Sequence, residues 1–115
     1  METKQAVQAL SALAQDTRLA IFRLLVQAGP EGMSAGQIGE QLDLAPATLS
    51  FHLAGLTRAG LAQSRQEGRF VIYSADFTAM NALVGFLGEN CCGGAACNPS
   101  TGEKDEAPKR TRRRA

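Results

Sequence analysis

Pro46-Ala-Thr-Leu-Ser-Phe-His-Leu-Ala-Gly-Leu-Thr-Arg-Ala-Gly-Leu61 decides how this 115-residue chain is read. Leu49, Leu53 and Leu56 recur at i, i+4 and i+7, which predicts a helix lying on a core. Pro46 suits a first helical position, where its missing N–H leaves nothing unsatisfied. Gly60 follows as a C-cap. The opposite face carries Ala47, Thr48, Ser50, Phe51, Ala54 and Arg58. It is small and polar toward the N-terminus, with one large apolar side chain. Such a helix end is built to press close to a partner.

Working outward, Ser34-Ala-Gly-Gln-Ile-Gly-Glu-Gln-Leu42 predicts a short helix with Ser34 as N-cap and Gln37 three residues on, the pattern of a capping box. Ile38 and Leu42 share a face. The link Asp43-Leu44-Ala45 is three residues long. Two short helices on a three-residue turn, the second with a polar outer face, fit a helix-turn-helix. The same spacing also fits an αα-hairpin inside a helical core.

Ser50-x-His52-Leu53-x-x-Leu56-x-x-Ala59-Gly60-Leu61 resembles the recognition-helix signature of the ArsR/SmtB family of winged-helix repressors. Leu13-Ala-Gln-Asp-Thr-Arg18-Leu19-x-Ile21-x-x-Leu24-Leu25 resembles that family's second-helix motif, and the likeness runs in order over residues 5 to 92. It implies a mainly α protein with a small β-hairpin, a winged helix-turn-helix in the order α-α-α-α-β-β-α. It also implies a homodimer paired through the terminal helices and a repressor of double-stranded operator DNA. A twofold dimer presents two recognition helices about one DNA turn apart.

The rest of the chain agrees with a fold of this size. The length suits one domain, residues 1–92, followed by a flexible segment and tail over residues 93–115. A hydrophobic fraction of 44% is enough for a packed core. The longest apolar run is far short of a bilayer span, and Met1-Glu-Thr-Lys lacks a signal pattern, so a cytoplasmic protein without membrane contact is expected. Up to Cys92, six Lys and Arg stand against eight Asp and Glu. Composition therefore does not announce a nucleic-acid binder, and affinity must come from few, well-placed cations and from helix N-termini facing phosphate.

In chain order, a first helix is predicted over Gln5 to Ala14, with Ala6, Leu10, Leu13 and Ala14 as its apolar side and Val7 beside it. Asp16 is expected to cap a second helix over Thr17 to Ala28. That helix is apolar nearly all round and so is placed at the buried centre. After Gly60 the period changes. Leu61–Arg65 and Phe70–Ser74 read as strands around Gln66-Glu67-Gly68-Arg69, a wing with Gly68 available for positive φ. Asp76 then caps a last helix, Phe77 to Asn90, with Phe77, Met80, Leu83, Val84 and Leu87 on its apolar side. From Gly93 the periodicity is lost, and Pro108-Lys-Arg-Thr-Arg-Arg-Arg-Ala115 is a basic run. It is either a solvated tail or an arm for salt-sensitive phosphate contacts.

All three cysteines fall in Cys91-Cys92-Gly-Gly-Ala-Ala-Cys97. In a cytosolic chain such a cluster points to metal binding or redox chemistry rather than to a structural disulfide. Structural zinc wants four ligands. Three thiolates suit trivalent arsenic or antimony, which take three ligands and keep a lone pair, and soft thiolates also admit cadmium, lead or copper(I). Arsenite-responsive family members typically carry Cys-x-Cys before the recognition helix, where this chain has Met33-Ser-Ala-Gly-Gln-Ile38. Zinc-responsive members carry Asp and His along the last helix, where Asp76 stands alone. The cluster past the last helix is similar to that of arsenite sensors with a site at this end. The expected inducer is thus As(III) or Sb(III) on Cys91, Cys92 and Cys97. The rival is a redox or sulfane-sulfur switch, with Cys97 as disulfide partner because a vicinal bridge is strained. A soft-metal buffer that ignores DNA is a further alternative. Nothing in the chain supports an enzyme: there is no phosphate-cradling loop and no base near the thiols.

The DNA-facing candidates are Ser34, Gln37, Ala47, Thr48, Ser50, Phe51, His52 and Arg69. Thr48, Ser50 and His52 offer hydrogen bonds to base edges or phosphates, and Phe51 an apolar contact for a thymine methyl. His52 lies at the flank of the core face, where partial burial and one phosphate bond compete with base reading. Arg69 at the wing is the best single phosphate or minor-groove contact. Ser34 and Gln37 open the supporting helix toward phosphate.

Overall fold

The computed structural model describes residues 1–94. Its elements run α1 (Thr3–Leu13), α2 (Asp16–Ala28), β1 (Met33–Ser34), α3 (Ala35–Leu42), α4 (Pro46–Arg58), β2 (Ala62–Glu67), β3 (Phe70–Ala75) and α5 (Phe77–Leu87), followed by a 3₁₀ turn over Cys91–Gly94. The sheet is antiparallel in the order β1-β3-β2. This is the winged helix-turn-helix that the resemblance implies, with one addition. The two-residue strand β1 pairs Met33 with Tyr73 and Ser34 with Ile72. No periodicity shows in two residues, so only the partner strand reveals it.

The core is one cluster. Leu49, Leu53 and Leu56 of α4 meet Ile21, Phe22 and Leu25 of α2, Ile38 of α3, Leu61, and Leu83 of α5. Each fully buried Leu or Ile contributes about 1.5–3 kcal/mol relative to exposure, so this stripe holds the helices together. Helix α2 is not apolar toward protein all round: Leu19 is 44% exposed, and the buried side is Ile21, Phe22 and Leu25, with Leu24 and Val26 half-buried against the core. Its cap is Gln15, whose side chain accepts from the Arg18 amide, and Asp16 is already helical. On α1 the buried side is Ala6, Ala9 and Ala12, whereas Leu10 and Val7 face outward. Small residues make up the buried side of α1, which meets α2, α4 and α5, and the larger ones are left outside. On α5 only Leu83 is fully buried, and Val84 and Leu87 are more than 60% exposed. The helix stops at Leu87, short of the expected Asn90.

Local signals set several boundaries as expected, although α1 starts two residues before Gln5 and ends at Leu13, β3 runs one residue past Ser74, and Ala59 rather than Gly60 is the C-cap of α4. Ser34 Oγ accepts from the Gln37 amide at 3.2 Å and Gln37 Oε1 accepts from the Ser34 amide at 3.1 Å, closing the capping box. Pro46 opens α4, and Gly60 with φ +79° follows its C-cap, Ala59. Asp76 caps α5 by accepting from the Ala79 amide. The wing strand starts one residue later than read, at Ala62, and runs to Glu67, while Leu61 is buried below it. Glu67 pairs with Phe70, so the loop is Gly68-Arg69 alone. Gly68 has φ +61° and Arg69 does not have positive φ, the sign pattern of a type II′ turn that matches strand twist.

Gly32 joins the loop after α2 to the sheet. Its φ is +75°, and a Cβ there would collide with the backbone carbonyl of Tyr73. Gly32→Ala is expected to destabilise the domain by about 1–3 kcal/mol, through positive-φ strain and displacement of the β1–β3 pairing. A urea melt checks this; an unchanged midpoint would show that the loop relaxes freely.

Candidate DNA-reading face and thiol pair

The reading face is built on α4. Because Leu49, Leu53 and Leu56 turn inward, the 3.6-residue period turns Ala47, Thr48, Ser50, Phe51, Ala54 and Arg58 outward, and all six are exposed. Phe51 is 62% exposed, as its outward placement on the helix requires. The N-terminus of α4 has no side-chain cap, since Ala45 holds the cap position, and so presents free amides. This suits a phosphate neighbour.

His52 is more deeply buried than its expected place at the flank of the core face implies. It is 8% exposed, and its ring turns toward α2 rather than onto the open face. The Arg18 Nε–H donates to His52 Nδ1 at 3.2 Å. The Arg18 guanidinium lies 5.4 Å from the centroid of the Phe51 ring, and the Phe51 and His52 rings meet edge to face at the same separation. Gly55 leaves the room for this: a Cβ there would stand 2.8 Å from Arg18 Cζ. The histidine is therefore correctly seen at the flank of the core face, but its visible partner is an arginine of another helix. Arg18 was not among the DNA-facing candidates. The available signal was its place in the second-helix motif.

Ser34 is half-buried and Gln37 exposed, with the serine hydroxyl and the amide oxygen used in the capping box. The Gln37 amide nitrogen and the Ser34 hydroxyl proton remain as donors for an outside partner. Arg69 stands exposed at the tip of the wing. The neighbouring Arg65 is spoken for: it pairs with Glu67 at 2.7 Å and donates to the Glu31 carbonyl at 2.8 Å, which braces the wing against the loop after α2. That is the one ion pair among the described residues. Phe70 and Val71 beside Arg69 are exposed as well, so the wing projects beyond the core. Arg69→Ala is expected to weaken DNA binding uniformly across sequences and to lower the log–log salt slope by about 1. An unchanged slope in a salt titration would remove Arg69 from the phosphate contacts.

Cys91 and Cys92 follow α5 on the 3₁₀ turn, both free and exposed. Their sulfurs stand 3.8 Å apart. Cys92 takes φ +58°, in the left-handed region. No metal-holding group of three or more His, Cys, Asp or Glu occurs among the described residues. Cys97 lies outside them, as does the basic run near the C-terminus.

An outward polar helix carried by a helix-turn-helix, braced to a projecting β-hairpin, defines a winged helix-turn-helix transcriptional regulator. A family model described as a helix-turn-helix domain matches residues 13–65. The transcriptional activator HlyU of Vibrio cholerae is 34% identical over 88 residues, covering 76% of this chain and 79% of that one. Its structure superposes with a TM-score of 0.63 over 80% of this chain and 99% of that chain, and a structure of its reduced form matches equally well. A Halobacterium salinarum protein named as a proposed ArsR repressor of an arsenical resistance operon is 35% identical over 82 residues, covering 71% of this chain and 63% of that one. The homodimeric winged helix-turn-helix domain of Mb0332 from Mycobacterium bovis is 26% identical, with a TM-score of 0.60 over 83% of this chain and 88% of that chain. The chain belongs to the ArsR/HlyU family of winged-helix transcriptional regulators.

Proposed function

We propose that this protein is a cytoplasmic, homodimeric repressor that binds operator DNA in its free form and leaves it when As(III) or Sb(III) is captured by Cys91, Cys92 and Cys97. The observation that carries the ligand class is the pair of free, exposed thiols 3.8 Å apart at the end of α5. A third thiolate, five residues beyond Cys92 in sequence, completes the three-sulfur set that a pyramidal trivalent centre takes. The dimer reading is supported by Val7 and Leu10 on α1 and Val84 and Leu87 on α5, large apolar side chains left exposed on the two terminal helices. It is supported too by the homodimeric relative. Since the thiols adjoin α5, capture there would bias how the two copies pair and so the separation of the two α4 helices. A coupling of about 1–3 kcal/mol, 5- to 150-fold in affinity, is ordinary for such a switch.

The test is fluorescence anisotropy of the reduced protein on its own upstream DNA, titrated with arsenite. Release at low arsenite, reversed by excess dithiol and unaffected by zinc, is the expected result. Retention on DNA throughout would overturn the ligand assignment. The second reading is a thiol-redox or sulfane-sulfur switch, favoured by the same exposed pair and by the existence of a reduced form of the HlyU relative. Binding that ignores arsenite but collapses on mild oxidation would select it. A cadmium or lead sensor of the same site would respond to those ions instead.

A further inference from the structure

Arg18 stands in the first turn of α2, with its amide held by the Gln15 side chain. No carboxylate lies within ion-pair distance of it among the described residues. Its charged head is spent instead on helix α4. The Nε–H donates to His52 Nδ1, the guanidinium plane sits against Gly55, where a Cβ would intrude, and the Phe51 ring is 5.4 Å away. Gly55 is buried in mid-helix, where glycine is normally unfavourable by about 1 kcal/mol relative to Ala, and the arginine is what occupies the space.

We infer that Arg18 is a positioning residue for the recognition helix. A donor facing Nδ1 requires a lone pair there, so the proton of the neutral ring sits on Nε2. Arg18 thereby selects one tautomer of His52, and its contact with Phe51 holds that ring at a fixed attitude on the reading face. A guanidinium can donate through Nε and lie flat against a helix at once; an ammonium cannot. The consequence for operator affinity rests on the regulator reading above, whereas the tautomer does not.

The chain has one histidine, so ring-nitrogen NMR of the full-length protein reports His52 without ambiguity. At about pH 8.5, above the ordinary imidazole range, the wild type is expected to show a protonated Nε2 and an unprotonated Nδ1, and Arg18→Met a mixture of tautomers. In anisotropy on upstream DNA, Arg18→Met is expected to weaken binding about 10-fold. The salt slope is expected to stay unchanged, because a positioning residue neutralises no phosphate. The double variant Arg18→Met/His52→Gln is expected to lose no more than the worse single variant. Arg18→Lys keeps the charge and serves if the methionine variant does not fold; it too is expected to lose the single tautomer. A tautomer mixture in wild-type protein that binds DNA overturns the positioning role alone. A salt slope reduced by about 1 in Arg18→Met also overturns it, by making Arg18 a direct phosphate contact. Absence of DNA binding by every form overturns the regulator reading and the positioning role together.

Discussion

Leu56→Ala is expected to lower the unfolding free energy by about 2–5 kcal/mol. The side chain is wholly buried at the i+7 position of the α4 stripe, within the cluster that includes Ile21, Leu25 and Ile38. Its carbonyl also accepts from the Leu61 amide at 3.0 Å, at the point where the chain leaves α4 for the wing. Removing the side chain loses its transfer free energy and leaves a cavity that its neighbours in the core cluster would have to move together to close. A domain of this size has on the order of 5–15 kcal/mol in total, so the loss is a large fraction of it. The thermal midpoint should fall by on the order of 10–30 °C. Circular dichroism melts check this, together with urea unfolding at unchanged slope. A fall of only a few degrees would mean that the core repacks around the alanine and that the stripe is not what holds α4.

The second large effect is on the switch rather than on the fold. Cys92→Ser is expected to leave the melting temperature and operator affinity nearly unchanged while abolishing release by arsenite. Cys92 is exposed, and serine meets the same steric conditions at φ +58°, so the turn over Cys91–Gly94 keeps its shape. What changes is the ligand atom: a hydroxyl is a hard, protonated donor where a soft thiolate is required. Arsenite at concentrations that strip the wild-type protein from DNA should leave the variant bound, as it should for Cys91→Ser and Cys97→Ser. Anisotropy measures both properties in one titration. If Cys92→Ser still leaves DNA on adding arsenite, the three-thiolate site is wrong. If oxidant rather than arsenite distinguishes variant from wild type, the redox reading replaces it.

Features closed within one helical turn or one tight loop were legible from residue order. The Ser34–Gln37 capping box, Pro46 at the head of α4, the Leu49–Leu53–Leu56 stripe, Gly68 in the wing loop and Asp76 before α5 each depend on residues a few positions apart. Their chemistry is local, so neighbours in sequence encode it. The reading face followed from the same stripe, because turning the leucines in turns Thr48, Ser50 and Phe51 out. The thiol cluster was visible as composition alone.

Tertiary structure decided the rest. The inward turn of His52 depends on Arg18, 34 residues upstream, and on the space at Gly55. Strand β1 exists through Tyr73 and Ile72, some 40 positions away. Which side of α1 is buried depends on the surface that α2, α4 and α5 present to it, and that side is Ala6, Ala9 and Ala12 rather than the more hydrophobic Leu10. A helix wheel ranks faces by hydrophobicity, whereas packing ranks them by the shape of the surface they meet, and that surface comes from distant parts of the chain.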